Sequence, residues 1–265
     1  MPKKTLIHPM ALVDKKAELG KDVEIGPFSV IGPDVVIGDG TVVGNHVTVQ
    51  GRTTIGKKNR IGAYTSIGMP AQDKEHWPDD CLVEIGDEND IREYVSVHRG
   101  TFKHDEPGVT RIGNKNQIMV YSHFAHDTEV GSYCMMANAT TLGGHVRFGS
   151  YVVTGGLSAY HQFTRVGDYA MVGGMSACFQ DVPPYCVCSG PRGHIYGINR
   201  VGLQRNGFSG EEVEQVQRLF DQYFKSGKVP SQAFKAIEAA SDGSLLMTRF
   251  IEFIRNSKRG IASKG

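Results

Sequence analysis

The chain has 265 residues, enough for one large domain or for a large and a small one. Its 29 Lys and Arg against 28 Asp and Glu leave a formal charge of +1, which excludes a polyanion-coating protein and gives little long-range pull on nucleic acid. Apolar residues at 40% and charged residues at 22% describe an ordinary globular chain, and no apolar run approaches the roughly 18 residues of a membrane span.

The N-terminal stretch MPKKTLIHPMALVDKK breaks its apolar run at His8 and Pro9, so it lacks a signal-peptide core. There are 33 Gly, and 26 Val against 10 Leu, a bias towards β-branched, turn-rich structure. The cysteines (Cys81, Cys134, Cys178, Cys186 and Cys188) are odd in number and form no CxxC pair, which indicates a reduced, cytoplasmic protein.

From Val13 onwards an aliphatic residue recurs every six positions: Leu19, Ile25, Ile31, Ile37, Val43, Val49, Ile55, Ile61 and Ile67. The register resumes at Ile85, Ile91 and Val97. It resumes again at Ile112 and runs through Phe124, Met136, Phe148 and Val166 to Cys178, with Thr154, Tyr160 and Cys178 as weaker members. Six is a multiple of two, so in extended chain the marked residues share one face. In an α-helix the same step turns each residue by about 240° and scatters the set over three faces. Short strands joined by Gly-permitted turns are therefore expected. Strands this short cannot bury a face alone, so the turns must stack into a solenoid.

Two polar stretches, 69–81 and 99–110, interrupt the register and are expected to project as loops. The first holds the single tryptophan, Trp77; the second fits a plain solvent-exposed loop. After Pro183-Pro184 the period stops. Ser209-Gly210-Glu211-Glu212 predicts a capping box opening a helix, with Val213, Val216, Leu219, Phe220 and Phe224 on one side. Leu245, Leu246, Phe250, Phe253 and Ile254 mark another helix. The expected organisation is a β-solenoid over 1–190 and an α-helical domain over 191–265. Residues 196–265 carry 11 Lys and Arg against 7 Asp and Glu, which suits an acidic partner or an ordinary solvated surface.

The register, with Gly after most aliphatic residues and an often small residue at the fifth place, resembles the left-handed parallel β-helix acyltransferases. The likeness narrows at Ile91-Arg92-Glu93, His98-Arg99-Gly100-Thr101, His123-Phe124-Ala125-His126-Asp127, Gly144-His145-Val146, His161-Gln162-Phe163 and Gln180-Asp181-Val182-Pro183-Pro184-Tyr185. These segments, with Gly202-Leu203-Gln204-Arg205 and Gly207-Phe208-Ser209, resemble the UDP-N-acetylglucosamine acyltransferase family over nearly the whole chain. The resemblance implies a mainly β fold, left-handed in its coiling, as a homotrimer with active sites between subunits. It implies transfer of an (R)-3-hydroxyacyl group from acyl carrier protein to the sugar 3-position of a UDP-sugar, the first step of lipid A synthesis, with no metal or organic cofactor.

By that resemblance His126 is the general base, Asp127 orients its imidazole, and the Gly144 N–H faces the oxyanion. Histidine titrates in the range such a base needs. Gly144 follows His126 by 18 residues, one coil of three hexads, so it should lie directly above. The resemblance also assigns sugar, nucleotide and phosphate contacts to Gln72, Asp73, His123, His145, His161, Gln162, Asn199 and Arg205, and an acyl-chain ruler to Gly174, whose small size leaves room for a long chain. The chain departs from the family at three places: Glu75 stands where the first loop usually has Lys, with Lys74 one place early, Val201 replaces an acidic residue, and Asn206 replaces the second Arg of a pair.

Other readings compete. The acceptor is either the 3-hydroxyl or the 3-amino form of the sugar. The cluster His123, His126, His145 and His161 also fits a metal-dependent protein of the gamma carbonic anhydrase kind. A sibling N-acyltransferase usually carries an extra N-terminal domain, whereas the hexads here begin by Val13. A non-enzymatic solenoid would need a regular face, which the loops and histidines interrupt.

Overall fold

The computed structural model describes residues 5–75, 80–105 and 107–265; Trp77 lies outside them. Strands of two to four residues wind up a shaft in which, as far as Ala177–Cys178, each pairs in parallel with the strand three places before it. Among the described residues this makes three sheets: the first begins at Leu6–Ile7 and has 11 strands, the second begins at Leu12–Val13 and has 9, and the third begins at Glu18–Leu19 and has 8. The pairing step is one coil of three hexads at Leu6↔Glu24. It lengthens across the two polar stretches at Arg60↔Asp90 and Asp90↔Gln117, then returns at Gln117↔Met135.

The six-residue register is the core. Ile31, Ile61, Ile91, Ile118, Met136 and Leu142 are all 3% exposed or less. The weaker members also point inward: Thr154 bonds Thr140 Oγ1 at 2.7 Å, Tyr160 is 3% exposed, and Cys178 Sγ lies 3.8 Å from Cys188 Sγ. The often small fifth place is a second inward position, filled by Val23, Ser29, Thr41, Asn59, Asn89 and Asn116. Three of these form a buried polar column: Asn89 N–H and Nδ2 donate to Asn59 Oδ1 at 2.9 and 3.0 Å, and Asn116 N–H donates to Asn89 Oδ1 at 2.9 Å.

The expectation of Gly-permitted turns needs correcting. The left-handed position of each turn is mostly not glycine: Phe28, His46, Tyr64, Tyr94 and Tyr121 have φ between 55° and 64°. A left-handed backbone costs an L-residue about 1–2 kcal/mol. Stacking offsets much of this, since successive rings of this column lie 4.9–5.0 Å apart and such pairs contribute about 0.5–1.5 kcal/mol. The glycines after the aliphatic residues serve a different end. A Cβ on Gly38 would stand 2.6 Å from the Gly56 carbonyl carbon one coil on, and one on Gly131 would stand 2.7 Å from Gly149. At Gly38 and Gly131 close approach between coils, not positive φ, requires glycine; Gly68, after Ile67, combines both, with φ 81°.

The shaft closes on an antiparallel hairpin of Cys186–Ser189 with His194–Ile198. Four helices follow: α1 (Arg200–Arg205), α2 (Gly210–Phe224), α3 (Pro230–Ala239) and α4 (Leu245–Arg255). The capping box forms as expected, with Glu212 N–H on Ser209 Oγ at 3.2 Å and Ser209 N–H on Glu212 Oε2 at 2.7 Å. Leu246, Phe250, Phe253 and Ile254 are buried, but Leu245, the first residue of α4, is 68% exposed. Helix α3, which begins at Pro230 and buries Ala233 and Ile237, carries too few apolar residues to stand out in the sequence. The tail returns to the shaft, where Ala262 N–H donates to the Asp181 carbonyl at 2.9 Å. No helix is long and apolar enough to cross a membrane among the described residues.

Truncating the middle of the asparagine column should be costly. Asn89→Ala leaves the Asn116 N–H without its acceptor and takes one of two donors from Asn59 Oδ1, which keeps the backbone N–H of residue 89, and urea unfolding should show a loss of about 1–3 kcal/mol.

Candidate active site

A three-sheet prism has three corners, and the connections fall on them in strict rotation. Turns from the second sheet to the third carry Ala125–Thr128, Gly143–Val146 and His161–Thr164. Both polar insertions also leave the second sheet for the third, after Met69 and after His98. One corner therefore collects the two insertions and the histidine-bearing turns on successive coils.

At that corner His126 is 5% exposed and Asp127 3% exposed. His126 Nδ1 lies 2.8 Å from Asp127 Oδ2. A carboxylate only accepts, so Nδ1 carries a proton and, in the neutral ring, Nε2 is the nitrogen left to accept. Asp127 is held from the second insertion, with Thr101 N–H on Oδ1 at 2.8 Å and Thr101 Oγ1 on Oδ2 at 2.6 Å. Its own N–H donates to Thr110 Oγ1 at 2.9 Å. Thr101 and Thr110 were not assigned from the sequence, where they read as ends of a polar loop; counting hexads in threes to find the corner would have located them.

Gly144 packs directly on the imidazole. A Cβ there would stand 2.6 Å from His126 Cε1 and 2.7 Å from Nε2. The Gly144 N–H meets no protein acceptor among the described residues. The next residue, His145, is 4% exposed; its Nε2 is 3.8 Å from Asp127 Oδ2 and its ring stacks on Phe163 at 4.5 Å. Burial pushes the His145 imidazole down to about 4, against a partial opposing pull from Asp127, so it is neutral near pH 7.

From the first insertion Asp73 reaches in, with Oδ2 3.9 Å from His126 Nε2, while Gln72 is exposed. Asp73 is gripped by Lys103 Nζ at 2.7 and 2.8 Å. The Glu75 N–H and then Lys103 hold its carboxyl below the usual carboxylate range. His123, on the strand before the turn, places Nδ1 2.8 Å from Ser96 Oγ, and burial lowers its pKa. His161 and Gln162 are exposed two coils along the same corner, Gln162 in the turn slot of His126 and Gly144.

Gly174 and Asn199 stand elsewhere on the chain. Gly174 lies in a turn from the first sheet to the second, where a Cβ would be 3.3 Å from the Gly156 carbonyl oxygen. Asn199 caps α1 through Gly202 N–H and donates to the Tyr169 carbonyl at 2.9 Å, at the corner from the third sheet to the first. Arg205 is exposed at the end of the same helix.

His126, Asp127 and His145 also bring three atoms able to ligate a metal, two imidazole nitrogens and a carboxylate oxygen, within 4.8 Å of one another. The Asp127 carboxylate, however, already accepts from Thr101 N–H, Thr101 Oγ1 and His126. These bonds fix the orientation of the His126 imidazole. His123, a ligand in the metal reading, turns its Nδ1 to Ser96.

Comparison with known proteins decides the lineage. Over 261 residues the chain is 44% identical to acyl-[acyl-carrier-protein]–UDP-N-acetylglucosamine O-acyltransferase of Janthinobacterium sp. (strain Marseille), covering 97% of this chain and 99% of that one. The chain belongs to the UDP-N-acetylglucosamine O-acyltransferase family. Residues 181–262 match that family's description for its second domain, and residues 16–51 match the bacterial transferase hexapeptide repeat. The fold agrees. The Francisella novicida UDP-N-acetylglucosamine acyltransferase superposes with a TM-score of 0.94 at 37% identity, covering 98% of this chain and 94% of that one. The Campylobacter jejuni enzyme gives 0.92 at 35%, with 98% and 100% coverage. The shaft is accordingly the left-handed parallel β-helix of this family.

The depressed pKa of His145 sets a pH dependence. The unfolded chain binds a proton at this residue below about 6.5, while the folded chain does not until about 4. The stability it contributes is complete above about 6.5 and is lost as the pH falls towards 4. Urea unfolding of wild type and His145→Gln at pH 7.5 and 5 should show a smaller loss on acidification in the variant.

Proposed function

We propose that the protein transfers an (R)-3-hydroxyacyl group from acyl carrier protein to the 3-hydroxyl of UDP-N-acetylglucosamine, the first step of lipid A synthesis. The observation that carries this reading is the buried His126–Asp127 pair, with Nε2 turned outward between Asp73 and Gly144. His126 Nε2 takes the proton of the 3-hydroxyl as that oxygen attacks the thioester carbonyl. Asp127 keeps the ring in the required tautomer and stabilises the imidazolium. The Gly144 N–H faces the tetrahedral oxyanion. Collapse expels the carrier thiol, which leaves with the proton from His126.

Gln72, Asp73, His123, His145, His161 and Gln162 line the acceptor side in this reading. Gly174, Asn199 and Arg205 join it from neighbouring subunits of a homotrimer, Gly174 as the wall that sets acyl length. Two features support a trimer. The assigned residues lie on different corners of one prism, and Phe28, Tyr64, Tyr94 and Tyr121 form an exposed aromatic corner 46–60% open to solvent. The same reading divides the chain into a shaft over 1–190 and a helical portion over 191–265, and puts the protein in the cytoplasm with its carrier substrate.

Purified protein, offered (R)-3-hydroxyacyl carrier proteins with the 3-hydroxyl or 3-amino sugar nucleotide, should acylate the hydroxyl form. His126→Ala should lower kcat by about 10²–10⁴-fold. Preference for the amine overturns the ester assignment; no transfer to either form overturns the acyltransferase reading, and bound zinc by metal analysis would then favour the carbonic anhydrase reading. Gly144→Ala, whose methyl group would displace the His126 ring, should lose transfer about 10-fold or more while its melting curve stays near that of wild type.

A further inference from the structure

The two insertions leave the same corner on successive coils, and they meet at the mouth of the His126 site. Lys103 Nζ contacts both carboxylate oxygens of Asp73 and lies 3.3 Å from Glu75 Oε1. The Lys103 and Asp73 side chains are 25% and 13% exposed, so this contact is more enclosed than an ordinary surface ion pair. The turn that carries Lys103 is seated on the corner. Its neighbour His104 adopts φ 57° and ψ 32° and sets its ring edge-on against His145 at 5.6 Å and Phe163 at 5.4 Å.

A hydroxyl that gives its proton to His126 must reach Nε2, and Asp73 Oδ2 borders that space at 3.9 Å. A carboxylate fixed there can accept from an acceptor hydroxyl and hold the sugar in register. The acceptor also carries a diphosphate. The first insertion meets that double negative charge with two carboxylates, Asp73 and Glu75, and the exposed Lys74 between them forms no ion pair with either, so like charges brought together oppose binding. An ammonium shared between the two removes most of that repulsion and leaves the Asp73 oxygens aimed at the site. In this chain the cation comes from the second insertion.

We infer that Lys103 is a positioning residue: it fixes Asp73 as the acceptor for a sugar hydroxyl beside His126 and screens the Asp73–Glu75 pair from the substrate diphosphate. The role rests on the transfer reaction proposed above. It gives the second insertion a part in substrate binding, and it ties that part to the acidic residue at position 75.

The test uses full-length protein with UDP-N-acetylglucosamine as acceptor. Lys103→Met should raise the acceptor KM about 10-fold while kcat moves less than about threefold and the KM for acyl carrier protein holds. Lys103→Arg should restore most of the affinity. Adding Glu75→Gln to Lys103→Met should recover part of the lost KM, because one uncompensated carboxylate is removed; a purely structural tie between loops would show no such recovery. An unchanged acceptor KM in Lys103→Met, or a fall in kcat alone, overturns the inference. If Lys103→Met melts early, Lys103→Gln carries the same measurement. Calorimetric binding of UDP-N-acetylglucosamine separates the two readings. Wild type that binds but transfers nothing defeats the reaction alone, and equal affinity in wild type and Lys103→Met defeats the role of Lys103. Wild type that does not bind defeats both.

Discussion

Each coil of the shaft must lie one strand spacing, about 4.8 Å, from the next, because its backbone groups pair only with the coils on either side. That single spacing dictates the rest. Glycine follows the inward aliphatic residue because at positions such as Gly38 and Gly131 a methyl group would collide with the next coil. Aromatic residues tolerate left-handed backbone at the corners because the same spacing matches the stacking distance of rings. Asn59, Asn89 and Asn116 pass hydrogen bonds along the axis because each stands directly over the last.

The candidate site uses the same geometry for chemistry. Asp127, His145 and Phe163 occupy the left-handed slot on three successive coils, and His126, Gly144 and Gln162 occupy the slot before it. An imidazole, a backbone N–H and a carboxylate thus converge without any long-range folding of the chain upon itself. The shaft does not supply everything. Asp127 is fixed by Thr101, and His126 faces Asp73, so the insertions complete what the coils begin.

Much of this was legible in the sequence. The six-residue step could only be short strands, and Thr154, Tyr160 and Cys178 turn inward with the rest of their columns despite being poor aliphatic residues. The stacking of Gly144 on His126 followed from their separation of one coil. Other features were hidden for physical reasons. The purpose of the glycines is steric, between residues one coil apart, and a local reading of turns attributes it to backbone freedom. Leu245 continues an apolar pattern but sits at the first position of α4, before the helix settles on the shaft. Lys103 looks like one charge in a polar loop until the hexads are counted in threes and both insertions fall on one corner.

The shaft is written in units of six but read in units of eighteen. Six extra residues placed between Ile112 and His126 would leave every inward residue pointing inward and every strand pairing in parallel. They would also carry each later turn one corner onward, so that His126 and Gly144 parted company with both insertions. A change of eighteen would restore the corner but separate it from the loops by one coil. The core therefore tolerates a whole hexad that the site cannot, and length changes within the shaft are constrained by its corners more tightly than by its packing.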